Sequence, residues 1–146
     1  MTGIEVSLVL DGEITAPLKL LEDALRDGEP LSDEFVGRFR GAVASGGLEV
    51  LAARAGGRTV GVAVVVYRPN VSVAADFASV EELFVRPGER RRGIGRALME
   101  AVEKRCVDLG VSYVEVQTDD EAAAFYAALG YEGESDVRVM SRAHAL

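Results

Sequence analysis

The sequence has few of the residues that several common catalytic and metal sites require. Tryptophan is absent, Cys106 is the only cysteine and His144 is the only histidine. A single cysteine cannot form a disulfide within the chain or a cysteine-rich zinc cluster. A serine- or cysteine-based hydrolytic site would depend on His144, which lies near the end of the sequence, where order is least expected. We therefore expect neither a hydrolytic triad nor a bound metal.

Long apolar segments and an excess of positive charge are missing as well. The sequence contains no run of 18 apolar residues and no basic segment followed by an apolar leader. Its 24 acidic and 16 basic side chains give a formal charge of −8, which repels nucleic acid and anionic membranes. We therefore expect a soluble, cytoplasmic protein that binds neither. A length of 146 residues, 49% of them apolar, fits a single domain over residues 1–146.

The lone cysteine has an apolar setting. Cys106 falls on the same stripe of a predicted helix as Leu98, Val102 and Leu109. Because this spacing marks the buried face of an amphipathic helix, we predict that Cys106 is a core thiol rather than a catalytic nucleophile.

Hydrophobic periodicity and turn signals divide the chain into ten elements. Residues 55–58 indicate a hairpin, residues 69–78 a looser connection, and residues 80–117 a βαβ unit with a parallel strand pair. These features predict an α+β fold with a mixed sheet flanked by helices, in the order β-α-α-β-β-β-α-β-α-β. The predicted elements are a strand at 4–10, helices at 14–27 and 32–44, strands at 48–54, 59–67 and 80–85, a helix at 95–109, a strand at 113–117, a helix at 119–129 and a strand at 137–140.

The segment between the strand at 80–85 and the following helix has the composition of a phosphate site. Two glycines, Gly93 and Gly95, let the backbone come close to a ligand at the start of a helix. The free N–H groups of the first helical turn and the helix dipole favour an anion there. Arginine, which suits bidentate contacts to phosphate, occurs at positions 90, 91, 92 and 96.

Two familiar nucleotide motifs do not fit this segment. A P-loop requires a Gly-Lys pair, and the sequence has none. A dinucleotide-binding turn requires Gly-x-Gly-x-x-Gly or Ala directly after a strand. Here Leu98 occupies the third position, and the loop from Val85 to Gly93 is too long for that turn.

Two blocks of the sequence resemble the GNAT superfamily of N-acetyltransferases. Arg90–Gly95 matches the acetyl-CoA-binding pattern Gln/Arg-x-x-Gly-x-Gly/Ala, and it follows a strand, Glu82–Val85, like the fourth strand of that family. Asp119–Tyr131 resembles the pattern Asn-x-x-x-Ala-x-x-x-Tyr-x-x-x-Gly-Phe, with one residue of slack near its start. The blocks cover residues 80–131, and the order of elements along the whole chain agrees with the family.

The resemblance implies acetyl-CoA as co-substrate and places it along these two blocks. Main-chain groups at 83–85 would bind the pantetheine arm as an added strand does, and amides from 91 to 96 would hold the pyrophosphate. Arg91 stands where the family often has glycine, and Asp119 where it often has asparagine. The implied cofactor-binding residues are Leu83, Phe84, Val85, Arg90, Arg91, Arg92, Gly93, Ile94, Gly95, Arg96 and Asp119.

The resemblance also implies a general acid, Tyr126, that protonates the departing thiolate. A tyrosine at this position could instead simply pack in the core. The reacting ammonium must lose a proton, and the candidate bases are Glu81, Glu82 and Glu115. Successive strand residues face opposite ways, so we expect Glu81 and Glu82 to lie on different faces. We favour Glu82, because some family members that acetylate aminoglycosides carry an acid there.

These inferences predict an N-acetyltransferase that acts on a primary amine of a small molecule or peptide. The alternative is a regulatory module that binds CoA without turnover. The acidic balance suggests a cationic acceptor, but residues 12–47 and 69–78, which would shape its site, contain no motif that identifies it. A homodimer is compatible with the resemblance.

Overall fold

A computed structural model describes residues 3–145. The described residues form five strands and four α-helices, with single 3-10 turns at Asp11–Glu13 and Pro87–Glu89. No helix among them has the length and apolar composition needed to cross a bilayer. The elements are β1 (Ile4–Val9), α1 (Thr15–Leu25), α2 (Asp33–Ser45), β2 (Leu48–Ala55), β3 (Arg58–Asn70), β4 (Ala75–Val85), α3 (Ile94–Leu109), β5 (Val114–Val116) and α4 (Asp120–Ala128).

The strands form one mixed sheet, as the sequence predicted, and their order across it is β1-β2-β3-β4-β5. The pairings β1–β2, β2–β3 and β3–β4 are antiparallel, and β5 pairs with β4 in parallel. The parallel pairing is short, since it joins only Ala78–Val80 to Val114–Val116. A crossover through α3 connects these two strands, which is the βαβ unit expected between residues 80 and 117.

The sheet has a separate apolar core on each face. Side chains of α3 and α4 pack on one face, where Cys106 is buried as predicted, and side chains of α1 and α2 pack on the other. The central strand β3 is buried on both faces, so its valines do not alternate with polar residues. A Cβ added at Gly61 of β3 would lie 3.0 Å from the Leu98 side chain. The missing side chain therefore allows α3 to approach the sheet closely.

A partly buried ionic cluster holds the far end of α3. The Glu49 carboxylate on β2 accepts hydrogen bonds from the Tyr67 hydroxyl at 2.7 Å and from the Arg105 guanidinium on α3. Because each of these partly buried groups has a partner, the cluster fixes the direction of α3 against β2 and β3.

Residues 69–78, predicted as a loose connection, instead extend β3 and β4 into a long hairpin. Pro69 pairs with Asp76 in this extension, although proline cannot donate a ladder hydrogen bond. The pairing of β2 begins at Leu48, opposite Val66, so this part of β3 is an edge. An edge tolerates proline, which the sequence pattern alone could not show.

The strand predicted at 137–140 is not formed. Val137, Val139 and Met140 are exposed, and residues 137–140 have no regular structure. The segment has β-prone residues, but a strand also needs a ladder partner and an apolar surface beneath it. The described chain therefore ends its regular structure with α4 rather than with a tenth element.

Candidate functional site

The sheet opens where β5 ends and β4 continues. Beyond Val80, the last β4 residue paired with β5, residues 81–85 have no strand on that side. A pocket of about 190 Å³ occupies this opening. Its lining comes from β4, from the end of β5 with the following turn, and from α4: Val80, Glu81, Glu82, Leu83, Val116, Gln117, Thr118, Asp119, Ala122 and Tyr126.

A β-bulge at Glu81 changes which way the β4 side chains face. Val65 of β3 pairs with Val80, but the preceding residue Val64 pairs with Glu82, so Glu81 has no opposite residue. Such an extra residue interrupts the alternation of faces. Val80 lies in the core under α3, whereas Glu82 is opposite Val64, which lies in the core under α1 and α2.

Glu81 and Glu82 therefore lie on the same face, and the expectation of opposite faces was wrong. The Glu81 carboxylate accepts a hydrogen bond of 2.8 Å from the hydroxyl of Ser79, which is also on the α1 and α2 face. Burial raises the pKa of the half-buried Glu82, and the negative charge of Glu81 raises it further. The third candidate base, Glu115, binds Arg68 and does not line the pocket.

The open edge of β4 presents main-chain groups from alternate residues. The N–H of Arg86 donates to the carbonyl of Val60 on β3 at 2.8 Å. Antiparallel pairing alternates, so Phe84 directs its N–H and C=O toward β3 as well, while Leu83 and Val85 direct theirs to the open side. The Val85 carbonyl there accepts a hydrogen bond of 3.1 Å from Arg90 Nε.

The start of α3 is an uncapped helix N-terminus beside this edge. Gly93 adopts a left-handed conformation, with φ of 76°, and provides no capping side chain. The first hydrogen bond within the helix is donated by the N–H of Ala97 to Gly93. The N–H groups of Ile94, Gly95 and Arg96 thus precede the helical ladder, which suits an anion.

The neighbouring arginines have internal partners. Arg92 binds Glu89, Arg96 lies 3.2 Å from Glu100, and the Arg90 guanidinium lies 5.4 Å from the centre of the Phe84 ring. Arg91 has a φ of 67°, the left-handed conformation that its glycine-like position requires. A side chain in this conformation costs about 1–2 kcal/mol.

The helix α4 brings Tyr126 to the pocket. A Cβ added at Gly95 would lie 3.3 Å from the Phe125 ring, so α4 packs directly against the first turn of α3. Tyr126 is only 8% exposed, and its ring lies 5.0 Å from Phe125 and 5.9 Å from Tyr131 in edge-to-face contacts. The tyrosine therefore both packs in the core and lines the pocket.

Two features of its surroundings change the pKa of the Tyr126 hydroxyl. Burial raises its pKa, and the negative charge of Asp119 raises it further. Asp119 itself caps α4, since its carboxylate accepts a hydrogen bond of 2.8 Å from the N–H of Ala122. This capping role explains an acidic residue at the position without reference to a ligand.

Sequence reasoning missed several contributors to this region, including Val80 and Ala122 of the pocket lining. Val116 at the end of β5 lines the pocket together with Gln117 and Thr118, which follow it, and Ser79 anchors Glu81. The proximity of polar residues to a strand end was a usable signal for Gln117 and Thr118. Ser79 gave no signal, since its partner depends on the bulge. Within residues 3–145, no three histidine, cysteine or acidic side chains are grouped closely enough to hold a metal ion.

The fold is similar to those of solved acetyltransferases. An acetyltransferase from Trypanosoma brucei is 21% identical, with a TM-score of 0.82 over 97% of this chain and 100% of that one. An aminoglycoside acetyltransferase from an uncultured soil metagenomic sample is 23% identical, with a TM-score of 0.82 over 98% and 99%. A predicted acetyltransferase from Clostridium acetobutylicum, solved with acetyl-CoA, is 11% identical, with a TM-score of 0.75 over 95% and 96%.

At these identities the similar structures establish the fold and leave the substrate open. The family profile is the more specific finding, because it matches residues 16–131 and so includes the β4 edge, the α3 N-terminus and Tyr126. With most of its sequence matched by that profile, the chain belongs to the acetyltransferase (GNAT) family.

Proposed function

We propose that this protein is an acetyl-CoA-dependent N-acetyltransferase that transfers an acetyl group directly to a primary amine. One arrangement carries the proposal. The open edge of β4 runs from the uncapped, arginine-flanked start of α3 to a pocket lined by Glu82 and Tyr126. Groups that suit pyrophosphate, an amide-bearing arm and a proton transfer thus follow one another along a single line.

The chain's own groups are suited to hold acetyl-CoA. The N–H groups of Ile94 and Gly95 would bind the pyrophosphate, with charge added by the arginines around them. Leu83 and Val85 would pair with the pantetheine amides as an added strand does. Arg90 Nε donates a hydrogen bond to the Val85 carbonyl, so the Arg90 side chain would have to move before pantetheine could pair with that carbonyl. The displaced guanidinium would then be free to contact phosphate. Phe84 would contribute its ring rather than its main chain.

Glu82 and Tyr126 would manage the protons of the reaction. Glu82, directly or through water, would accept a proton from the acceptor ammonium, since only the neutral amine is nucleophilic. The amine nitrogen would form a bond to the acetyl carbonyl carbon, and the carbon–sulfur bond would break. Tyr126 would donate its proton to the departing thiolate. The Tyr126 hydroxyl is protonated at neutral pH, as a general acid requires, because its pKa is raised from a usual value that already lies well above 7.

The acceptor we propose is cationic and small, or is the amine of an exposed peptide. Glu81, Glu82 and Asp119 line the pocket, and their negative charge would attract an ammonium group.

Thiol release with a panel of amines tests this function. Monoamines, diamines, aminoglycosides and short peptides would each be mixed with acetyl-CoA, and free CoA would be measured over time. Release that depends on one class of amine supports the enzyme. CoA binding by calorimetry without release for any amine would instead indicate a CoA-binding regulatory module.

A further inference from the structure

The two adjacent glutamates of β4 form a carboxylate pair at the pocket. Like charges on neighbouring residues of one strand normally point apart, but the bulge at Glu81 places both on the α1 and α2 face. Glu82 is half-buried, whereas Glu81 is exposed. The two carboxylates therefore differ in solvation, and this difference favours different roles for them.

Glu81 has a fixed anchor within the sheet. The Ser79 hydroxyl, on a residue only 6% exposed, donates to its carboxylate at 2.8 Å. Ser79 is held on both sides, since it pairs with Val66 of β3 and with Glu115 of β5. A hydrogen bond from a buried hydroxyl holds the Glu81 carboxylate in place and limits its turning into solvent.

The surroundings of Glu82 are mostly apolar, and one charged residue of the pocket acts on it. Its cross-strand neighbour Val64 is apolar, as is the core that α1 and α2 contribute on this face. Glu81 is the charged residue that acts on it. Asp119, at the start of α4, acts on Tyr126 instead. Among the titratable groups of the pocket, Glu81 is thus the neighbour that influences Glu82.

We propose that Glu81, anchored by Ser79, is a positioning residue whose fixed negative charge makes Glu82 an effective proton acceptor, while Glu81 itself does not touch the reacting amine. This inference rests on the proposed function, in which Glu82 is the base. A base works best when its affinity for protons approaches the operating pH, and an adjacent negative charge raises that affinity. The bulge supplies such a charge at the neighbouring residue.

The test compares pH profiles of kcat/KM with the titration of Glu82 itself. Glu81→Gln removes the charge and keeps the shape. We expect it to move the acid limb of the profile to lower pH and to reduce the plateau roughly two- to tenfold, because Glu82 becomes a weaker base. Ser79→Ala should shift the limb the same way by less, since Glu81 then turns into solvent. Glu5→Gln, an exposed change on β1, is the matched control and should leave the profile unchanged.

Carboxyl NMR of the free protein gives a readout that does not depend on activity. The pH midpoint of the Glu82 carboxyl titration should fall in the Glu81→Gln variant and stay constant in the Glu5→Gln variant. An unchanged titration midpoint of Glu82 in Glu81→Gln would overturn the proposal. A raised KM for diamines alone, with no movement of the acid limb, would also overturn it, because Glu81 would then be a group that binds the acceptor. If the parent protein releases no CoA with any amine, the proposed function fails, while the NMR titration still decides whether the two carboxylates are coupled.

Discussion

Replacing Tyr126 by phenylalanine separates its catalytic role from its packing role. The substitution removes the hydroxyl and keeps the ring, whose edge-to-face contacts with Phe125 and Tyr131 do not involve the oxygen. The free energy of unfolding should therefore change by about 1 kcal/mol or less. Acetyl-CoA affinity should change by less than about twofold, because the proposed pyrophosphate and pantetheine contacts lie on α3 and β4.

Turnover should respond far more strongly than stability. A general acid typically contributes a factor of about 10²–10⁴, so Tyr126→Phe should raise the activation free energy by about 3–5 kcal/mol. An acid must be protonated to act. Because burial and Asp119 raise the Tyr126 pKa above its usual 10, the parent should lose activity only at strongly alkaline pH, and this limb should be missing in the variant.

Steady-state thiol release across pH, with calorimetric binding of acetyl-CoA, measures both effects. Tyr113→Phe is the matched control, because the hydroxyl of the half-buried Tyr113 bonds Glu134 and the residue does not line the pocket. Its kcat should equal that of the parent. A kcat for Tyr126→Phe within about threefold of the parent at saturating substrate would refute the acid role and leave Tyr126 as a core residue.

Three further perturbations test the geometry of the cofactor edge and its support. Replacing Arg90 and Arg92 together by alanine should weaken CoA binding about tenfold in low-salt calorimetry and less at high salt, because screening already reduces the charge term; equal affinities would remove the arginines from the site. Arg91→Gly should raise the free energy of unfolding by about 0.5–1 kcal/mol in denaturant titrations, since glycine relieves the left-handed strain but adds backbone entropy. Gly61→Ala should cost about 1–3 kcal/mol, because its Cβ would lie 3.0 Å from a side chain of α3, whereas Gly41→Ala on the open face of α2 should be neutral or stabilising.

Much of the fold was predictable because its signals are local. The Gly-containing hairpin, the Ser32 cap of α2 and the apolar stripe of α3 each depend on residues close in sequence, and all three are present, although Leu109 at the end of the stripe is exposed. The prediction of a strand at 137–140 was wrong, because β-propensity alone cannot supply a neighbouring strand to pair with. The edge position of Pro69 was likewise invisible, since it depends on where β2 ends.

The candidate site, like the fold, combines features set by consecutive residues with features set by long-range strand pairing. The sequence by itself determined the arginine- and glycine-rich start of α3, the glycine-like position of Arg91 and the tyrosine of α4, because turns, helix ends and motif spacing are written in consecutive residues. Only the tertiary structure decided that Glu81 and Glu82 share a face, that Ser79 anchors one of them and that Phe84 directs its main chain to β3. Register between strands is a long-range property, and one extra residue in a ladder reverses every face that follows it.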